Sequence, residues 1–145
     1  IVIAVDTNIL VYAHRADSPF HERARSALEA LADGPQTWAI PWPCVHEFFA
    51  VVTHPRIYRT ATPPDTVFAQ LRALQSLANL TFIAEADEHL MQLEPLALAA
   101  KCQGGAIHDA RIAAICLSHG VAELWSADRD FSRFPRLSVR NPLIG

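Results

Sequence analysis

Ile1-Val2-Ile3-Ala4-Val5-Asp6-Thr7-Asn8-Ile9-Leu10 runs from five small or β-branched apolar residues directly into a carboxylate, a hydroxyl and an amide. An unbroken apolar run of this length reads as a strand buried on both faces, as in a parallel sheet. A carboxylate placed immediately after such a strand lies at its carboxyl end, where open α/β sheets form their ligand crevice. Thr7 and Asn8 supply groups that can hydrogen-bond to Asp6 and orient it. The same three residue types also favour strand-to-helix caps, so plain turn chemistry is the competing reading.

Working outward, a short helix continues through Leu10-Val11-Tyr12-Ala13, and Asp17-Ser18-Pro19 signals the next, with Ser18 as N-cap and Pro19 as first helical residue. Phe20, Ala24, Leu28 and Leu31 share its inner face, and Gly34-Pro35 stops it. A second strand is predicted at 37–40, then a helix over 44–53 that buries Val45, Phe48, Phe49 and Val52. Residues 56–64 read as an exposed connection carrying Arg56, Tyr58 and Arg59, a small basic and aromatic cluster. An amphipathic helix at 66–78 leads to a third strand at 80–83. Helices follow at 87–103, with Pro95 marking a kink or restart, and at 106–118, with Ile107, Ala110, Ala114 and Leu117 inward. Gly120 caps the latter. A fourth strand at 121–126, the charged turn Asp128-Arg129-Asp130 and a short last strand at 137–139 close the chain. Strands alternating with helices argue for one α/β domain, residues 1–145, with a mostly parallel sheet between helical layers.

The 145 residues carry 51% hydrophobic side chains and only 5 Gly, which suits a compact core and excludes a disordered chain. Net charge is −3, so no global basic signal points to nucleic acid, although eleven of the twelve cations are Arg and only Lys101 is Lys. Cys44, Cys102 and Cys116 lack the close pairing of a zinc site and read as reduced core thiols. The N-terminal apolar run is too short for a signal-peptide core and no stretch approaches a membrane span, so the expectation is a cytoplasmic protein without a membrane association.

Most of the fifteen acids fall on exposed helix faces. Asp6 ends the first strand, Glu47 lies in the first turn or so of the helix after the second, Asp109 starts a helix among apolar neighbours, and Asp128 and Asp130 follow the fourth strand. In a parallel sheet these positions share one edge and can converge. Each alone has an ordinary explanation in the helix macrodipole or turn chemistry. Together they repel one another, and a divalent cation is what relieves such a cluster. Oxygen donors without paired cysteine point to Mg²⁺, with Mn²⁺ as a substitute, and to phosphodiester hydrolysis. His46 and His108 neighbour two of the acids, but adjacent helical residues point about 100° apart, which places them at the rim.

Val5-Asp6-Thr7-Asn8-Ile9-Leu10, Glu47, His108-Asp109-Ala110 and Ser126-Ala127-Asp128-Arg129-Asp130-Phe131, in that order, resemble the PIN-domain ribonucleases, and most of all the VapC-type toxins of type II toxin–antitoxin modules. The resemblance spans essentially the whole chain, including Phe134-Pro135 and Asn141-Pro142-Leu143. It implies a three-layer α/β/α fold, a Mg²⁺-dependent endoribonuclease acting on RNA, a homodimer, and inhibition by a small antitoxin. By motif position, Asp6 and Asp109 would be the principal metal ligands. Glu47 and Asp128 would complete the acidic set, and Thr7 would hydrogen-bond within the site. Ser126 fits the hydroxyl position before the fourth acid. Asp130 stays outside this core set as a turn residue, and Arg129 or Arg133 would meet the RNA backbone.

An aspartyl-phosphate phosphotransferase needs a second acid two residues after Asp6, where Asn8 stands, and a lysine after a late strand, whereas Lys101 is mid-helix. The alternative from another class is a PIN-like module that has lost catalysis and only binds protein. For a nuclease of net negative charge, RNA is held by local arginines and the metal, so affinity is expected to fall as salt rises. Filter-binding titrations at several salt concentrations check this, and a flat response contradicts it.

Overall fold

The computed structural model describes residues 2–144. Five strands form one parallel sheet: β1 (Val2–Val5), β2 (Trp38–Pro41), β3 (Leu80–Ile83), β4 (Val121–Trp125) and β5 (Val139–Arg140). Their order across the sheet is β3-β2-β1-β4-β5. β1 is therefore central, which is why its residues need no polar face. Among the described residues there are six α-helices: α1 (Thr7–His14), α2 (His21–Asp33), α3 (Trp42–Val52), α4 (Pro64–Gln75), α5 (His89–Ala99) and α6 (Ile107–Ser118).

The chain steps from β1 to β2 to β3 in one direction, then returns past β1 to β4 and β5. Right-handed crossovers consequently put α1 to α4 on one face and α5 and α6 on the other. The reversal falls between β1 and β4. A crevice opens at that point, outside the strands' carboxyl ends, and Asp6 and Asp128 stand at its two sides.

Trp38, Ile40, Phe48 and Ile115 are fully buried in the layers between sheet and helices. Trp38 keeps its indole N–H satisfied by donating to Asn79 Oδ1 at 3.2 Å. Asn79 Nδ2 in turn lies 2.8 to 3.0 Å from the carbonyls of Leu31, Gly34 and Gln36. One side chain thus ties the end of α2 to the start of β2 and β3.

Several boundaries move from where sequence signals put them. Ser18 does not cap α2: its hydroxyl accepts from Phe20 N–H at 3.1 Å, which builds a turn, and the helix begins only at His21. Phe20 is 43% exposed and leans on Tyr12, with ring centroids 5.2 Å apart, instead of entering the core. α6 is buried nearly all round through Ala110 and Ile112 to Cys116, because β2, β4 and α5 all pack against it, while Ile107 is open to solvent. Cys44 and Cys116 are core thiols as expected, whereas Cys102 is half-buried and lies beyond the end of α5.

The helix predicted to reach residue 103 stops at Ala99 and runs unbroken through Pro95. Its end is a Schellman turn: Cys102 N–H donates to Ala97 O at 2.9 Å and Lys101 N–H to Leu98 O at 3.1 Å. The left-handed position of that motif, φ 54°, is occupied by Lys101 and not by the glycines three residues later. A Cβ there is strained. Lys101→Gly is accordingly expected to stabilise the protein by about 0.5 to 1 kcal/mol. A higher urea midpoint with an unchanged slope would bear this out, and a lower midpoint would contradict it.

Candidate active site

Asp6 occupies the N-cap position of α1 with φ −82° and ψ 164°, yet its side chain caps nothing. The carboxylate is instead turned across the switch point toward β4. Oδ2 accepts from Ser126 Oγ at 2.7 Å and from Asn8 Nδ2 at 3.2 Å, and Oδ1 from Cys44 Sγ at 3.5 Å. Only 5% of the residue is exposed. Burial pushes the Asp6 carboxyl above its ordinary range; the bonds from Ser126, the Thr7 N–H and Cys44 oppose that rise, and the charge of Asp128 adds to it. The carboxylate makes no helix-capping bond, and two of its partners, Cys44 and Ser126, lie far along the chain.

Ser126 and Asn8 form the clamp that holds it. The Ser126 hydroxyl donates to Asp6 and accepts from Asn8 Nδ2 at 3.2 Å and Asp128 N–H at 3.0 Å. Asn8 Oδ1 accepts from Ala127 N–H at 3.0 Å. The carboxyl ends of β1 and β4 are sewn together through side chains, beyond the strand ladder. The Thr7 hydroxyl is turned away from Asp6: it donates to Glu47 Oε2 at 3.5 Å, linking the start of α1 to the second turn of α3.

Asp109 sits in the first turn of α6, and Asp128 and Asp130 flank the start of the turn after β4. One carboxylate oxygen from each of these three lies within 4.8 Å of the others. Asp130, which the sequence motifs leave outside the core acidic set as a turn residue, is thus placed beside Asp109 and Asp128. Both roles hold, since its N–H also donates to Asp128 Oδ1 at 2.9 Å. The Asp-x-Asp spacing across a tight turn was the available signal.

Asp6, Glu47, Asp109 and Asp128 line one cavity of about 230 Å³. Glu47 stands at its rim, open to solvent, in the second turn of its helix rather than the first. Burial, then the charge of Asp6, raises its carboxyl. The Asp109 carboxyl is pushed up to about 6, first by burial and then by Asp128, Asp6, Asp130 and Glu47. A donor set of carboxylates alone, self-repelling and free of thiol or imidazole, fits a hard divalent cation.

The same cavity is also lined by Tyr12, Tyr58, Val11, Val51 and Ile112. Of these only Tyr58 stood out in the sequence, as part of a loop cluster. Tyr12 follows Asn8 by one helical turn, a spacing that puts both on one face. His46 is exposed and stacks on Trp42 with centroids 6.4 Å apart in a separate groove, and His108 is exposed too, so neither histidine lines the acidic cavity. Arg133 donates to Ala100 O at 2.8 Å, while Arg129 is exposed.

Residues 3–137 match the PIN domain family. Ribonuclease VapC43 of Mycobacterium tuberculosis is 36% identical over 144 residues, covering 99% of this chain and 97% of that protein. Ribonuclease VapC48 of the same species is 30% identical over 140 residues, 97% of each. Among solved structures, VapBC2 of Rickettsia felis bound to a promoter DNA fragment superposes with a TM-score of 0.71 at 21% identity, covering 97% of this chain and 98% of that one. VapC20 of Mycobacterium tuberculosis, a sarcin–ricin loop cleaving toxin, superposes with a TM-score of 0.65 at 19% identity, covering 90% and 92%. These two likenesses concern the fold.

The raised Asp109 carboxyl has a consequence for stability. Between the ordinary carboxylate value and about 6, the unfolded chain has lost the proton that the metal-free folded protein keeps, so stability falls as pH rises through that window. Asp109→Asn removes the penalty. Without divalent metal, the variant is expected to melt above the wild type at neutral pH, by a few degrees if about 1 kcal/mol is relieved. At about pH 3.5, where both carboxyls are neutral, the gain should vanish. Thermal melts in chelator at both pH values check the sign, and a variant that melts lower at neutral pH would refute it.

Proposed function

The chain belongs to the PIN-domain family, and from that premise we propose that it is a metal-dependent endoribonuclease of the VapC type, hydrolysing RNA phosphodiester bonds. The observation that carries this reading is the convergence of Asp109, Asp128 and Asp130 oxygens within 4.8 Å, two of those acids sharing one cavity with Asp6 and Glu47. Nothing in a parallel α/β domain requires that concentration of negative charge for folding.

Asp109, Asp128 and Asp130 would hold Mg²⁺ or Mn²⁺, with Asp6 and Glu47 completing the set. When bound, such an ion lowers the pKa of water and neutralises charge on the leaving oxygen. Asp6 needs a fixed direction more than a free rotamer, and the Ser126–Asn8 clamp supplies it. Glu47 is the acid with solvent access and a raised carboxyl, which suits it to take up a proton from water at Oε2, the oxygen that faces Thr7. The substrate is single-stranded or loop RNA, whose splayed bases a shallow crevice can reach.

A cognate antitoxin covering the cavity follows from the same reading, and the structural likeness to VapBC complexes supports it. Association of two copies is supported by α5, where Leu90, Met91 and Leu98 are 70 to 79% exposed. No helix of the described residues is long and apolar enough to cross a membrane. Free cysteines at 44, 102 and 116 suit a reducing compartment, and we place the protein in the cytoplasm.

The decisive experiment incubates the purified chain with structured and unstructured RNA in Mg²⁺ or EDTA, alongside Asp6→Asn and Asp109→Asn. Cleavage is expected only with metal. Because several kcal/mol of transition-state stabilisation is at stake, each substitution should lower the rate at least about a hundredfold. Metal binding with no cleavage of any RNA would favour a binding module instead.

A further inference from the structure

We propose that Tyr58, with Tyr12 beside it, is a stacking wall that holds a nucleobase of the RNA strand next to the bond to be cut. The proposal rests on the nuclease reading above and adds a substrate-binding residue to it. Its starting point is that Tyr12 and Tyr58 line the same cavity as the carboxylates of Asp6, Glu47, Asp109 and Asp128.

The second observation is how firmly Tyr58 is placed. It lies in the connection between α3 and α4, and that connection is drawn back against the end of α1. Arg15 donates to Thr60 O at 2.8 Å and to Thr62 Oγ1 at 3.2 Å, and His14 Nε2 is 3.0 Å from the same hydroxyl. Thr62 N–H donates to Val52 O at 2.8 Å. Arg15 is itself aimed by a two-pronged pair with Asp17 at 2.9 and 2.6 Å. Its guanidinium then stands 4.2 Å from the centroid of the Tyr58 ring. The Tyr58 ring is half-buried: it packs against the edge of the core, is braced by a cation, and also lines the cavity.

Electrostatics supply the third argument. A cavity lined by carboxylates in a protein of net charge −3 gives RNA little coulombic attraction away from the metal. Base–aromatic stacking is indifferent to that charge and is worth about 1 to 3 kcal/mol per base. Arg56 and Arg59, exposed on the same connection, are free to meet the flanking phosphates. A base seated on Tyr58 lies within one cavity's width of the acids, so its phosphodiester is carried to them.

The test compares wild type, Tyr58→Phe and Tyr58→Leu on one single-stranded oligoribonucleotide with Mg²⁺, together with thermal melts of each. Tyr58→Phe should match the wild type. Tyr58→Leu, which keeps apolar bulk but no ring, should raise KM roughly tenfold with little change in kcat. A series of the same oligonucleotide with one abasic position at a time gives the independent reading. At one position the abasic loss and the Tyr58→Leu loss should not add. Unchanged KM in Tyr58→Leu, or losses that add at every position, overturns the stacking wall while leaving the nuclease intact. If the wild type cleaves nothing, the nuclease reading fails, and fluorescence anisotropy of the labelled oligonucleotide still decides this proposal. Affinity lost in Tyr58→Leu and kept in Tyr58→Phe supports the wall, and equal affinity in all three proteins overturns it.

Discussion

A carboxylate with 5% exposure at the end of the central strand is the constraint around which this molecule is arranged. An unpaired buried charge is unfavourable by several kcal/mol, so Asp6 must have donors. They come from three different elements: Asn8 in α1, Cys44 in α3 and Ser126 after β4. Satisfying one side chain therefore fixes how α1, α3 and the end of β4 meet. The same bonds that make burial tolerable also hold the carboxylate in one direction, which is what a metal ligand requires.

The site is built against folding in another respect. Burial and then neighbouring acids, Asp128 common to all three, raise the carboxyls of Asp6, Glu47 and Asp109, and among the described residues no lysine or arginine lines their cavity. Two of the arginines near the crevice are engaged elsewhere, Arg15 with Asp17 and Arg133 with Ala100 O. A cluster left uncompensated by side chains is poised for a cation from solution. On the function proposed above, a bound cation would link stability to activity, since whatever binds the folded state alone also stabilises it.

The β3-β2-β1-β4-β5 order explains why residues at 6, 47, 109 and 128 meet. Each follows a strand or opens a helix on the same edge, and the reversal between β1 and β4 leaves that edge uncovered. The aromatic lining arises differently. Tyr12 comes along α1 from Asn8, but Tyr58 arrives only because a long connection is pinned back by Arg15. The acids follow from topology, Tyr58 from a handful of side-chain bonds.

Periodicity and residue type were enough to read the alternating strands and helices, the parallel-sheet character of β1 and the acids at 6, 47, 109 and 128 as candidates, because these depend on local patterning and on where strands end. Helix limits were less legible: Ser18 and Gly104-Gly105 carried strong signals, but the turn at Phe20 and the Schellman end at Lys101 won through hydrogen bonds that no spacing displays. The partner of Thr7, the inclusion of Asp130 with the acids, and the presence of Tyr58 in the cavity were decided by tertiary structure alone. Each turns on a direction in space, a hydroxyl swung to α3 or a loop folded onto α1, and the linear chain encodes such directions only through the packing of residues that lie far apart in it.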